Sequence, residues 1–330
     1  MVESLQQITK DILGTEKDTS KAAVIRLFDF YKQFPLSSND LKDVQLSYGF
    51  ALCEQYAADC ILDYKRTCSF IKGIYKAIND VLAFNKGGKV HILYAGCGPY
   101  APLLIPILNL LRDDRLYITF IDINQSSVNE LQTVVNTLSL NIFIESTKVA
   151  DAITYQHPRK LDLIITETMF LALTREPQVA IAQNLMPQLK ENGILIPEEI
   201  SINLGYSDTK KEPRLQCLPN NYSIKGDLLF QPKKDLVELL KIEKGMRYSE
   251  TKERPFFETE WIDIENIEEY DSNIMLYTAL KVYKEETLLK AESNITNPLC
   301  IGSLTNLKEE KSFKLKYTIT KEPKWQIEYK

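Results

Sequence analysis

Two acids, Glu167 and Glu176, bracket the segment Thr166-Glu167-Thr168-Met169-Phe170-Leu171-Ala172-Leu173-Thr174-Arg175-Glu176-Pro177, directly after the apolar run Leu163-Ile164-Ile165. A strand that ends in such a loop sets both carboxylates at one edge of a sheet. The chain has only two histidines, His91 and His157, and its six cysteines form no CxxC pair. An imidazole base, a zinc site or another metal centre is therefore not expected, and proton chemistry falls to carboxylates, tyrosines or water. The six thiols read as buried and reduced.

A second chemical feature lies upstream, where the strand-like His91-Ile92-Leu93-Tyr94-Ala95 runs into Gly96-Cys97-Gly98-Pro99-Tyr100-Ala101. Glycines here remove Cβ atoms that would block a close ligand, and the start of the next helix offers unpaired N–H groups. An adenosine-containing cofactor is the expected occupant of Gly96, Cys97 and Gly98. Asp122, at the end of the next strand, is placed to accept hydrogen bonds from ribose hydroxyls, and Asp151, after the third, to bond an adenine amino group. These positions suit either a dinucleotide or S-adenosylmethionine. A ligand-free tight turn with Asp122 as a strand-end cap is the bland alternative.

The elements that must carry these residues follow from periodicity. Residues 1–86 read as a helical cover: Leu52, Tyr56, Ile61 and Leu62, then Ile71, Ile74, Ile78 and Leu82, follow helical spacing. Across 87–200, strands at 90–94, 117–121, 141–144, 161–165 and 193–196 alternate with helices at 103–111, 126–138 and 177–189, which predicts a doubly wound parallel α/β domain. From 201 to 330, period-two runs at 274–282 and 313–318 predict an antiparallel, β-rich, barrel-like domain. Within it, 208–255 is charged, proline-punctuated and expected to be partly helical around 235–240, in the manner of an inserted arm.

The chain has 330 residues, 44% of them hydrophobic, and a formal charge of −5, which fits well-filled cores and argues against a general nucleic-acid partner. Its apolar runs fall short of the roughly 20 residues of a membrane helix, and Met1 to Asp11 has no apolar signal core. A cytoplasmic protein without membrane attachment is the expectation.

The carboxylate loop and its surroundings resemble the protein arginine methyltransferases. That family carries two glutamates at the separation of Glu167 and Glu176, then a segment like Glu191-Asn192-Gly193-Ile194-Leu195-Ile196-Pro197. Upstream, Ile61-Leu62-Asp63-Tyr64-Lys65-Arg66-Thr67 resembles the helix that closes over its cofactor. The resemblance covers about 48–205, and by extension the later half, where the family has a barrel interrupted by a helical dimerisation arm.

It implies S-adenosylmethionine as cofactor, with Arg66 holding the methionine carboxylate. Glu167 and Glu176 would orient a guanidinium or amine, with Met169 and Asn297 on the substrate side. The acceptor would be a peptide or a small metabolite, and the assembly a homodimer. The family's acid at the end of the first strand is Tyr94 here, Thr168, Phe170 and Leu171 replace the residues around its first loop glutamate, and its Thr-His-Trp loop has only Thr296-Asn297-Pro298 as counterpart. Two other functions remain open to the sequence: a nicotinamide-dependent oxidoreductase, for which no hydride-transfer partner residue is evident, and a catalytically silent scaffold on the same fold.

Overall fold

The computed structural model describes residues 2–37, 41–111, 113–218, 221–226, 237–246, 256–264, 273–304 and 312–330. Helices α1 (Val2–Leu13) and α2 (Lys17–Tyr31) pack on each other and cover the sheet domain from the N-terminal side. A small hairpin of β1 (Val44–Leu46) and β2 (Gly49–Ala51) follows, then α3 (Glu54–Asp59) and a 3-10 turn, Cys60–Leu62. The long helix α4 (Tyr64–Phe84) completes the cover. Its Ile71, Ile74, Ala77 and Ile78 are fully buried, as their spacing predicts; each large aliphatic side chain contributes about 1.5–3 kcal/mol by leaving water.

Strands β3 (Val90–Ala95), β4 (Leu116–Asp122), β5 (Ile144–Val149), β6 (Leu161–Thr166) and β7 (Leu189–Ile196) form one parallel sheet in the order β5-β4-β3-β6-β7. Helices α5 (Ile105–Leu111), α6 (Gln125–Thr137) and α7 (Gln178–Leu185) join or flank them. Strands β3 and β6 are buried throughout, the expected state of strands with both faces covered. Strand order reverses at β3, so a crevice opens beyond the carboxyl ends of β3, β4 and β6.

The second half is antiparallel. Strand β8 (Glu199–Ser207) is followed by the hairpin β9 (Arg214–Leu218) and β10 (Asn221–Lys225), by β11 (Val237–Glu243) and by the short β12 (Phe257–Glu258) and β13 (Ile262–Asp263). Then come β14 (Asn273–Tyr283), β15 (Glu286–Leu288), β16 (Leu299–Ser303), β17 (Ser312–Thr318) and β18 (Lys324–Tyr329). One sheet is built on β8 and β14, the other on β17, and Tyr206 meets Phe313 edge to face between them at 6.4 Å.

Several sequence expectations need correction. The third strand is 144–149 rather than 141–144; Asn141–Phe143 is a 3-10 turn, and Ile142 is exposed. The helix expected over 103–111 starts at Ile105, because Ala101 takes a left-handed conformation and ends the glycine turn first. The helix expected over 177–189 stops at Leu185, and Pro187, which lacks an N–H, sits in a 3-10 turn that delivers the chain into β7. From Val237 the stretch expected to be helical is strand, paired with β8; the remaining part of that expectation, 235–236, lies outside the described residues, as do 219–220, 227–234 and 247–255 of the expected arm.

Candidate active site

Glycine geometry fixes the first wall of the site. Gly96 and Gly98 have φ of 67° and 63°, in the left-handed region that a side chain disfavours. The N–H groups of Gly96 and Cys97 donate to the Ile121 carbonyl at 2.9 and 3.3 Å, which ties the turn to the end of β4. A Cβ on Gly96 would lie 2.4 Å from Thr168 Cγ2, so that glycine serves contact with the carboxylate loop, whereas at Gly98 the backbone conformation sets the requirement.

Asp122 braces the same turn: Gly98 N–H donates to one of its carboxylate oxygens at 2.8 Å and Asn124 N–H to the other at 2.9 Å. Burial raises its pKa against these hydrogen bonds. A carboxylate has about four acceptor positions, so two such bonds leave capacity for ligand hydroxyls. Asp151 accepts from Ile153 N–H at 2.9 Å, and Ala150 N–H donates to the Asp122 carbonyl at 2.9 Å, which draws the ends of β4 and β5 together. The Cys97 thiol, buried beside the turn, is pushed well above the usual thiol range by that burial.

Opposite this wall stands Arg66, in the first turn of α4. Asp63 caps that helix, accepting weakly from Arg66 N–H at 3.4 Å. The Arg66 guanidinium donates to the Cys60 carbonyl at 3.2 Å and forms an ion pair with Glu167; the two side chains are only 10% and 4% exposed. Glu176 is also buried, and burial pushes its carboxyl up to about 7, against the pull of the Arg66 and Arg175 cations, while Asp43 adds to the rise. Arg66, Glu167 and Glu176 are thus all largely removed from water, a setting where charge interactions exceed their strength in bulk solvent.

The loop between the two glutamates has an unusual backbone. Ala172, Leu173 and Arg175 have φ of 49°, 64° and 64°, each a conformation costing on the order of 1–3 kcal/mol for a non-glycine residue. Gln178 anchors its start, its side-chain oxygen accepting from Thr168 N–H at 2.9 Å and from the Thr168 hydroxyl at 3.0 Å. The hairpin of β1 and β2 covers its end: Phe50 N–H donates to the Arg175 carbonyl at 2.8 Å. Gly49, with φ of 124°, lies so close that a Cβ would come 2.7 Å from the same oxygen. Gly49→Ala is expected to displace the hairpin and weaken any ligand held beneath it by about tenfold or more, read by calorimetric titration; unaltered binding would show that the hairpin is not a cover.

A cavity of about 340 Å³ lies between these walls. Arg66, Gly96, Cys97, Gly98, Asp122 and Asp151 all border it, as do Glu167, Met169 and Glu176. Asn297 does not: its side-chain amide clamps the Leu215 backbone, accepting from Leu215 N–H at 2.7 Å and donating to its carbonyl at 2.8 Å. From the same segment it is Asn294 and Ile295 that border the cavity. Asp63 holds that segment, accepting from the Ser293 hydroxyl and Asn294 N–H, each at 2.7 Å. Sequence reading also missed Asp43, Phe50 and Cys60 in the cavity wall.

Among the described residues, no group of three or more His, Cys, Asp or Glu is placed to hold a metal ion, and no helix is long and apolar enough to cross a membrane.

No protein-family profile matches the sequence, and no curated protein matches it. Solved structures do. The PRMT1 enzyme–prozyme heterotetrameric complex of Trypanosoma brucei with AdoHcy matches with a TM-score of 0.56 at 13% identity, over 84% of this chain and 93% of the other. Protein arginine methyltransferase 10 of Arabidopsis thaliana, in an open conformation, matches with a TM-score of 0.51 at 12% identity, over 80% and 87%. The parallel sheet, the antiparallel second half and these matches together establish a protein arginine methyltransferase-like fold for this chain.

Proposed function

We propose that this protein is an S-adenosylmethionine-dependent methyltransferase whose acceptor is a nitrogen on a cationic group, a guanidinium or an amine of a peptide or small metabolite. The observation that carries the reading is that Glu167 and Glu176 border one cavity together with Arg66, with the glycine turn and Asp122 also in its wall. The solved trypanosomal relative carries AdoHcy, the demethylated form of that donor. The residues present fit the group: Asp122 and Asp151 supply acceptors for ribose and adenine, and Arg66 supplies a cation for the methionine carboxylate. The Ser127 hydroxyl, buried at the cavity without a hydrogen-bond partner, is a further polar group suited to the donor.

When bound, the donor supplies an electrophilic methyl group on a sulfonium. The protein's own share is orientation and charge. A guanidinium stays protonated in water, with a pKa above roughly 12, so Glu167 and Glu176 must engage its N–H fork and turn one nitrogen lone pair toward the methyl. Transfer leaves a proton to be removed from the acceptor nitrogen. Glu176, whose carboxyl burial pushes up to about 7, is the group of the site suited to receive it at a carboxylate oxygen. Phe50 of the hairpin and Tyr56, Ala57 and Ala58 of α3 border the same cavity.

Calorimetric titration with AdoHcy and with NAD tests the reading. Binding of AdoHcy alone, followed by a gain of about 14 daltons per methyl on an acceptor mixed with S-adenosylmethionine, supports it. Binding of NAD alone would indicate the oxidoreductase, and binding of neither the silent scaffold. Arg66→Lys keeps the charge but loses the planar fork, and is expected to weaken AdoHcy by about tenfold, equivalent to about 1.4 kcal/mol. An unchanged dissociation constant would remove Arg66 from the cofactor site.

A further inference from the structure

We propose that Trp325 and Tyr317, in the last two strands, are positioning residues that hold the carboxylate loop in its working shape. The proposal rests on the reading that Glu167 and Glu176 face the acceptor. Trp325 Nε1–H donates to the Ala172 carbonyl at 2.8 Å, and the Tyr317 hydroxyl donates to the Leu173 carbonyl at 2.7 Å. Ala172 and Leu173 are consecutive, and both are left-handed without being glycine. Such a backbone persists only where its surroundings over-determine it.

The two aromatics sit directly opposite each other on β17 and β18, so they share a face of the sheet, with ring centroids 5.1 Å apart. Both are buried, and Phe256 and Phe257 pack edge to face against them at 5.9 Å each. The polar tips therefore have little freedom to choose other partners. Two further contacts from the same half complete the hold: Thr278 accepts from Ala172 N–H at 3.2 Å, and the Pro323 carbonyl accepts from Arg175 N–H at 3.0 Å. Ordinary core packing accounts for the rings. It does not account for two side-chain donors meeting two consecutive carbonyls of the strained stretch between the glutamates. The second domain thereby sets how far Glu176 stands from Glu167.

The test uses variants of the full chain that keep an aromatic side chain but remove the donor, Trp325→Phe and Tyr317→Phe, alone and together. Hydrogen exchange of amides 171–176 is expected to quicken in each variant while the sheet amides keep their protection. The Glu176 carboxyl, followed by infrared titration, is expected to fall from about 7 toward ordinary carboxylate values as the loop relaxes into water. With S-adenosylmethionine and an arginine-containing peptide, kcat is expected to drop about tenfold for each variant and about a hundredfold for the pair, with AdoHcy affinity held within about threefold. Ala172→Gly, which removes the cost of the left-handed conformation, is expected to restore part of the loss in Trp325→Phe.

Unchanged exchange at 171–176 and an unchanged Glu176 titration would overturn the proposal, as would an equal loss of protection across the whole chain. If the unaltered protein neither binds AdoHcy nor transfers a methyl group, the methyltransferase reading fails separately; loop exchange and the Glu176 titration still decide whether the two donors hold the loop.

Discussion

Glu167→Gln is expected to lower turnover by about 10²–10³-fold while leaving AdoHcy affinity equal or slightly tighter. The loss is comparable to that of removing one preorganised charge-stabilising group from an active site. The change keeps the side chain's size and one acceptor oxygen, while it removes the charge and turns the other oxygen into an NH2 donor. An acceptor guanidinium would then meet one carboxylate instead of two, and its N–H fork would lose half of its orientation. Cofactor binding responds differently because Glu167 already engages Arg66. Without that carboxylate, Arg66 retains the Cys60 carbonyl and its full charge, and a ligand carboxylate finds the cation less neutralised. The ligand-free protein is expected to lose about 1–3 kcal/mol of stability through the partly uncompensated buried charge. AdoHcy should accordingly raise the melting temperature of the variant at least as much as that of the unaltered chain. Equal turnover in both proteins would take Glu167 out of the acceptor site.

Legibility of the chain in its sequence divides along physical lines. Strands β3, β4 and β6 are short, apolar and flanked by turn residues, and their burial on both faces leaves the sequence little latitude. Strand β5 reads Ile-Glu-Ser-Thr-Lys-Val and is half exposed, so the apolar Ile142 and Phe143 before it gave a misleading signal. The first half of β7, Leu189 to Asn192, is mostly polar and joins the sheet through an irregular register opposite Leu161 and Leu163. Residues of the site that lie close to the glycine turn or to the loop were visible as local motifs. Those supplied by distant contact were not: Asp63 meets Ser293 across 230 positions, and Trp325 meets Ala172 across 153. Strands as short as β1 and β2 leave no periodicity to read, although they bring Gly49 and Phe50 onto the loop.

Glu176 should make stability depend on pH with a sign opposite to that of most carboxylates. Its folded pKa, about 7, lies above the 4.5 of an unperturbed glutamate because burial penalises the ionised form. Between those two values the folded chain retains a proton that the unfolded chain has released. Stability from this residue is thus fully present below about 4.5 and is lost as pH rises through about 7, by a total on the order of 3 kcal/mol. Glu176→Gln cannot titrate, so the difference between the two denaturation curves isolates the residue from all other groups. That difference should grow from pH 4.5 to 7 and level off above it, with the variant the more stable protein at pH 8. A cationic acceptor reverses the preference, since its charge favours the carboxylate and expels the proton. Binding near pH 7 should therefore release about half a proton from Glu176, read as a buffer-dependent enthalpy in calorimetry that Glu176→Gln abolishes. A parallel pH dependence in the two proteins would mean that Glu176 is ionised throughout, solvated and unable to act as the proton acceptor assigned to it.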